Sequence, residues 1–218
     1  MTIYFILYLV IIGSGFIVGI SFFKKSSNKI RPITIYLGLV LALEISSHYM
    51  AVIYKNNMPG FHISIPLYFS IIGIFFYNNI ADDKIRKSIP FTMAALMLFA
   101  IVNAVYFQPL SSFPDNVAKG TTFFYILWAA FLFIQHLDNS SAENIFANPV
   151  FIVAVAIMWF NIISLSFFLL YPFMMKYNLP NNSVFMIHYF SNYVYYLLLL
   201  LSIVLAKTQI SNDRKILQ

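Results

Sequence analysis

Seven apolar runs of 17 to 25 residues divide this chain, and together they contain one charged side chain, Glu44. About 20 predominantly apolar residues suffice to cross the hydrocarbon core of a bilayer as a helix. The runs are Met1 to Phe23, Ile33 to Tyr54, Phe61 to Ile80, Ser88 to Phe107, Thr121 to Leu137, Val150 to Phe173 and Asn182 to Ala206. They lack the period-two alternation of a lipid-facing strand, so the pattern predicts helices and excludes a barrel. Of the 218 residues 61% are hydrophobic and 9% charged, with a mean hydropathy of +0.82. A soluble domain carries about 25% charged residues. Lipid is therefore the solvent this chain is built for. The expected architecture is all-α: a single seven-helix transmembrane domain over residues 1–206, then a short cytoplasmic tail, 207–218.

Connections are short. Pro59-Gly60 reads as the breaker of a turn, and the third span is expected to bend near Pro66. Pro90 suits the first turn of the fourth span. The first apolar run precedes its positive charges, Lys24 and Lys25, so it reads as a retained span rather than a secretory signal.

Orientation follows from counting bases loop by loop. Lys24, Lys25, Lys29, Arg31, Lys84, Arg86, Lys87, Lys207, Arg214 and Lys215 fall on one side. Only Lys55, Lys119 and Lys176 fall on the other. The positive-inside rule then places the N-terminus outside and the C-terminus in the cytoplasm, in a multi-pass protein of the cell membrane. Asp138 and Glu143 lie in a base-free loop on the cytoplasmic side, but acids count little in that rule. The net charge of +6 is explained by these loops and does not point to nucleic acid.

Glu44 lies in mid-span, where a carboxyl is costly and normally faces other helices or a water-filled cavity. His48 stands one turn along the same face, about 6 Å nearer the outside. The last span presents His188, Ser191, Asn192 and Tyr195 at intervals of 0, 3, 4 and 7, which is one stripe. Asn161 and Ser164 mark the sixth span, Asn103 the fourth, and Ser70, Tyr68, Ser64 and His62 the third. Judged by depth, these groups gather between the midplane and the outer surface. Leu197 to Leu201 and the Met93 to Leu98 run make the cytoplasmic half apolar. A pocket open outward and sealed inward is the simplest expectation, lined by Glu44, His48, Asn103, Asn161, His188 and Asn192. Aromatic lining would come from Tyr68, Phe190 and Tyr195, and binding would vary with pH across the histidine range.

A plainer alternative stands beside each residue. Asn103, Asn161 and the serines serve equally as interhelical glue. Glu44 and His48 can neutralise one another, and His188 can be a packing histidine. The Tyr193, Tyr195 and Tyr196 group suits packing better than a ligand cage. His62 and His136, near span ends, read as interfacial. No role follows from the sequence for Trp128 or Trp159.

Three kinds of function remain. A sensory or receptor-like module would take a small ligand from outside and pass a helix shift to a cytoplasmic or membrane signalling partner. A metal-dependent membrane hydrolase could use Glu44, His48 and His188 as zinc ligands. A small-molecule transporter is the third. No phosphate loop, nucleophile elbow or HExxH motif commits the chain to catalysis, no cofactor is implied, and the absence of cysteine removes thiolate chemistry.

The segments NPVFIVAVAIMWFNIISLSFFLL and VFMIHYFSNYVYYLLLLL resemble the last two spans of short seven-span bacterial membrane proteins of unknown function. The second span, with Glu44 and His48 four apart and NNMPGFH after it, resembles theirs too. That resemblance implies a membrane protein that stands alone or resembles the membrane sensor modules of signalling proteins, and it carries no catalytic residues across. Glu44, His48 and His188 also loosely resemble the metal ligands of the seven-span hydrolases that include alkaline ceramidases and adiponectin receptors. Those proteins have paired histidines one turn apart in the last span, where this chain has His188 with Asn192 and Val184.

Overall fold

The structure, a computed structural model, describes residues 3–138, 145–178 and 182–216. Met1, Thr2 and Glu143 lie outside the described residues, as do the side chains of Arg214 and Lys215. The chain is all-helical, 88% helix with no strands among the described residues. In order the helices are α1 (Ile3–Ser21), α2 (Arg31–Ile53), α3 (Met58–Asn79), α4 (Asp83–Val102), α5 (Asp115–Asp138), α6 (Pro149–Lys176) and α7 (Asn182–Ile216). All seven are long and apolar enough to cross a membrane. In lipid every backbone N–H and C=O must find its partner inside the protein, and a helix does this locally.

Several helices begin earlier than the apolar runs suggest, because polar residues cap them. Asp82 accepts from the Ile85 amide at 2.9 Å and starts α4 five residues before Ser88. Pro90 is consequently inside α4 and not in its first turn. Pro59 opens α3 rather than breaking the chain before it, the position where a missing N–H costs nothing. Pro66 lies within α3, which runs unbroken from Met58 to Asn79. The polar stretch before Thr121 is already helical from Asp115, whose carboxylate holds Lys119 one turn on at 2.6 Å. Asn148 caps α6 by accepting from the amides of Val150 and Phe151. At the other ends of α2 and α6 the next residues, Lys55 and Asn178, take left-handed conformations with φ of 55° and 51° that stop the helix. Helix α7 continues past Ala206 to Ile216, 35 residues in all. At 1.5 Å per residue that is about 52 Å, well beyond a hydrocarbon core of about 30 Å.

Neighbours follow a closed circuit: α1 packs on α2, α2 on α3, α3 on α5, α5 on α6, α6 on α7, and α7 back on α1. Helix α4 stands outside this ring against α3 and, more lightly, α5. The ring interior is aromatic. Trp128 is 3% exposed and stacks on Phe69 with ring centres 5.1 Å apart, while Phe160 stacks on Tyr195 at 4.8 Å. Trp159, by contrast, is 44% exposed on the outer surface, among many large apolar side chains that suit a lipid boundary. Helices α1 and α2 meet where glycine permits: a β-carbon on Gly19 would lie 2.5 Å from Thr34, and one on Gly38 2.6 Å from Phe16.

The bundle has two unlike ends. One, the N-terminal end, holds the starts of α1, α3, α5 and α7. The other holds the starts of α2, α4 and α6 with Lys24, Lys25, Lys29, Arg31, Lys84, Arg86 and Lys87, and is the basic end.

Candidate functional site

The half of the bundle toward the N-terminal end contains Glu44, and the neighbouring helices give it a defined partner. Its Oε1 accepts a hydrogen bond from the Tyr8 hydroxyl of α1 at 3.1 Å. Tyr8 is buried on the α1 stripe that also carries Ile12, Gly15 and Gly19. Its ring lies edge-on to Tyr196 at 5.3 Å and to Tyr193 at 6.2 Å, so the Glu44 carboxyl is joined through Tyr8 to α7. On the α3 side Glu44 lines a cavity of about 40 Å³ together with Ser47, Ser64 and Tyr68. That is room for a water, which needs at least ~10–15 Å³. Tyr68 meets Tyr36 edge-on at 5.4 Å, and Tyr36 meets Tyr195 at 6.3 Å. The mid-bundle feature is thus one carboxyl set among tyrosines drawn from α1, α2, α3 and α7.

The other five expected site residues do not join it. His48 is half-buried and stacks on Phe5 of α1 at 5.1 Å instead of bonding to Glu44. His188 reaches Ser164 of α6, Nε2 to Oγ 3.2 Å, and is walled by Phe160, Phe167 and Phe168. Asn161 is 4% exposed and spends its amide on the Ile157 carbonyl of its own helix, at 2.7 Å. Asn192 is half-buried on α7. Asn103, fully buried, organises the α4–α5 corner. There α4 ends in a π-turn, Asn103–Phe107. The Asn103 amide donates to Gln108 at 2.8 Å and its carbonyl accepts from Asn116 at 3.1 Å. Gln108 in turn reaches Asp115. Phe190, expected to line the pocket, is 65% exposed and faces outward.

The expected pocket therefore resolves into three separate polar clusters, at α1–α2–α3, at α6–α7 and at α4–α5. Rise along each helix gives depth, and by depth these groups do gather between the midplane and the N-terminal end. Position around the ring is a different coordinate, and the aromatic interior separates the clusters. Glu44, His48 and His188 each have a different partner. No group of three or more His, Asp or Glu with metal-binding spacing occurs among the described residues. His62 bonds the Ser112 carbonyl at 2.9 Å, tying the α2–α3 end to the α4–α5 corner.

Two features escaped the sequence reading. Tyr8 is absent from the expected site, although its spacing of 4, 7 and 11 from Ile12, Gly15 and Gly19 marks a packed face. The basic end was expected to be sealed, yet a cavity of about 350 Å³ opens there. It is built from helix ends and connections, which the apolar spans do not reveal. Leu197 and Leu201, read as part of the seal, are 49% and 44% exposed on the outer face, and Leu199 alone of these three is buried. No protein-family model, curated protein or solved structure matches this chain.

Proposed function

We propose that this protein is a receptor-like module of the cell membrane, with its N-terminal end outside and its basic end in the cytoplasm. In this reading the Glu44–Tyr8 pair is the responsive element. The single observation that carries it is the 3.1 Å bond between the Tyr8 hydroxyl and the Glu44 carboxylate, formed across α1 and α2 beside a small cavity. An ionisable group in mid-membrane marks function by default. A hydrogen bond across two helices has two states, made and broken, so a ligand that takes Glu44 from Tyr8 shifts α1 against α2. Tyr8 meets α7 through Tyr193 and Tyr196, and α7 runs to the basic end, where a signalling partner would read the shift. The excess of Lys and Arg at that end supports the orientation.

Spin labels on α1 and α2 of the protein in nanodiscs, followed while a panel of small polar metabolites is added, test this. At least one compound is expected to change the distance in the wild type and not in Glu44→Gln. If no compound moves the helices, the receptor reading fails. A transporter reading draws on another observation, the cavities at opposite ends of one ring. Uptake of the active compound into liposomes would favour it. The hydrolase alternative needs Glu44, His48 and His188 on one centre, and their side chains have separate partners.

A further inference from the structure

We infer that the cavity beside Glu44 binds one monovalent metal cation, sodium or potassium, held between α2 and α3. This goes beyond the receptor reading: Tyr8 keeps Oε1 of Glu44, and the cation takes the other carboxylate oxygen.

Charge comes first. A carboxyl deep in a span normally has a partner that offsets its charge. Glu44 lacks a basic one. Among the described residues the salt bridges are Arg86–Asp83 and Lys119–Asp115, and Glu44 is in neither. His48, the nearest base in the sequence, is stacked on Phe5. The hydrogen bond that Glu44 does accept comes from a phenol, which is neutral at pH 7. Its Oε2 has no hydrogen-bond partner among the described residues. A buried charge without a counter-charge is costly, and one positive unit cancels this one.

The space and its lining then select the ion. The cavity holds about 40 Å³, and one water takes up about 30 Å³ in the liquid. A space of that size admits a single small ion and excludes an organic ligand. Its polar lining is Glu44, Ser46, Ser47, Ser64 and Tyr68, which offer side-chain oxygen and no nitrogen. Oxygen ligands suit hard cations. Ser47 accepts from the Asn57 amide at 2.9 Å, and a hydroxyl oxygen has a second lone pair to give. Ser64 is 5% exposed and makes no hydrogen bond from its side chain to the described residues. Ser191, the other unpaired serine of this half, has its hydroxyl wholly occluded, whereas Ser64 lines the cavity. Divalent cations draw on several carboxylates, and here there is one.

Thermal melting of the protein in phosphatidylcholine nanodiscs tests the site. N-methylglucamine chloride is replaced stepwise by sodium or potassium chloride at constant ionic strength. The melting temperature should rise with the concentration of at least one metal cation, as it does for any ligand bound by the folded state alone. A response to one of the two names the ion. Glu44→Gln should abolish the rise. Ser64→Ala should need about tenfold more cation for the same rise, the scale of one lost contact to a charged group. Should Glu44→Gln fail to fold, Ser64→Ala still decides, because it keeps the carboxyl. A rise that persists in Glu44→Gln, or that Ser64→Ala leaves unchanged, overturns the assignment. So does the absence of a rise with either cation, which leaves the cavity to water. The α1–α2 distance is read separately, so the cation site and the receptor reading can fail independently.

Discussion

The two halves of this bundle treat polar side chains in opposite ways. In the half toward the N-terminal end, Glu44, Asn103, Asn161 and His188 each find a partner on a neighbouring helix or on their own, and the space left beside Glu44 is about 40 Å³. At the basic end the polar groups come from connections and helix termini, several spend their bonds on backbone, and about 350 Å³ stays open. The physical difference is the solvent. A polar group deep in a span has no water to fall back on and is driven to pair within the protein, the fully buried Ser191 hydroxyl being an exception in this half. One at a helix end can be left facing a cavity. Inside a membrane protein, a polar cluster in the sequence thus signals closure as readily as it signals a pocket.

That contrast can be broken in graded steps. The largest effect should come from Gly19→Leu. A β-carbon there already lies 2.5 Å from Thr34, so a leucine must push α1 off α2 and separate Tyr8 from Glu44. Overpacking costs about 1–3 kcal/mol where the core can adjust, and the atoms met here belong to the short, buried Thr34 side chain, which has little room to give. The expected result is a lower yield of folded protein and a clear fall in melting temperature. Wild-type stability in this variant would mean that the α1–α2 contact is not what holds the Glu44 cluster shut.

Asn103→Ala ranks next. It strips Gln108 and Asn116 of a fully buried partner, at about 1–3 kcal/mol, without touching either cavity. Reversible unfolding in detergent should report that loss while leaving the labelling of a cysteine at Ser27, in the cavity of the basic end, unchanged. Coupling between the two would argue against separate halves.

Tyr8→Phe removes one interhelical hydrogen bond and keeps the ring contacts. Such bonds in membranes average about 0.6 kcal/mol, so the loss of stability should be small. Labelling of a cysteine beside Glu44 should nonetheless rise, since the carboxyl loses its partner. Ser164→Ala should have the smallest effect: His188 keeps its three phenylalanine neighbours, and stability should change by less than about 0.6 kcal/mol.

What the sequence made legible was one-dimensional. Seven helices follow from seven apolar runs, and depth follows from rise per residue. Glu44 stands out because it is the one charge in those runs. Angular position is not legible in the same way. His48 shares a face with Glu44 by spacing, yet it turns to Phe5, because α1 lies on that side of α2. His188 shares its depth with His48 and still sits across the ring, against α6. Helix starts were missed where polar caps extend the helix beyond the apolar run, as Asp82 does for α4. The basic-end cavity was missed because Asn79, His136 and Gln209 are far apart in sequence and sit at the margins of spans.

Accessibility measured from each side of the membrane tests the central claim, an N-terminal half closed around Glu44 and an open basic end, together with the proposed orientation that turns that end to the cytoplasm. The chain has no cysteine, so single substitutions can be labelled cleanly. Ser27→Cys is the better reporter for the basic end, because Ser27 is exposed and lines the larger cavity whereas neighbouring Ser26 is 3% exposed. Ser64→Cys reports the cavity beside Glu44, where Ser64 is 5% exposed. In sealed vesicles of known sidedness, a membrane-impermeant thiol reagent should modify Ser27→Cys quickly from the cytoplasmic face alone. It should modify Ser64→Cys slowly from both faces. Fast labelling of Ser64→Cys from outside, or of Ser27→Cys from outside, would contradict the account.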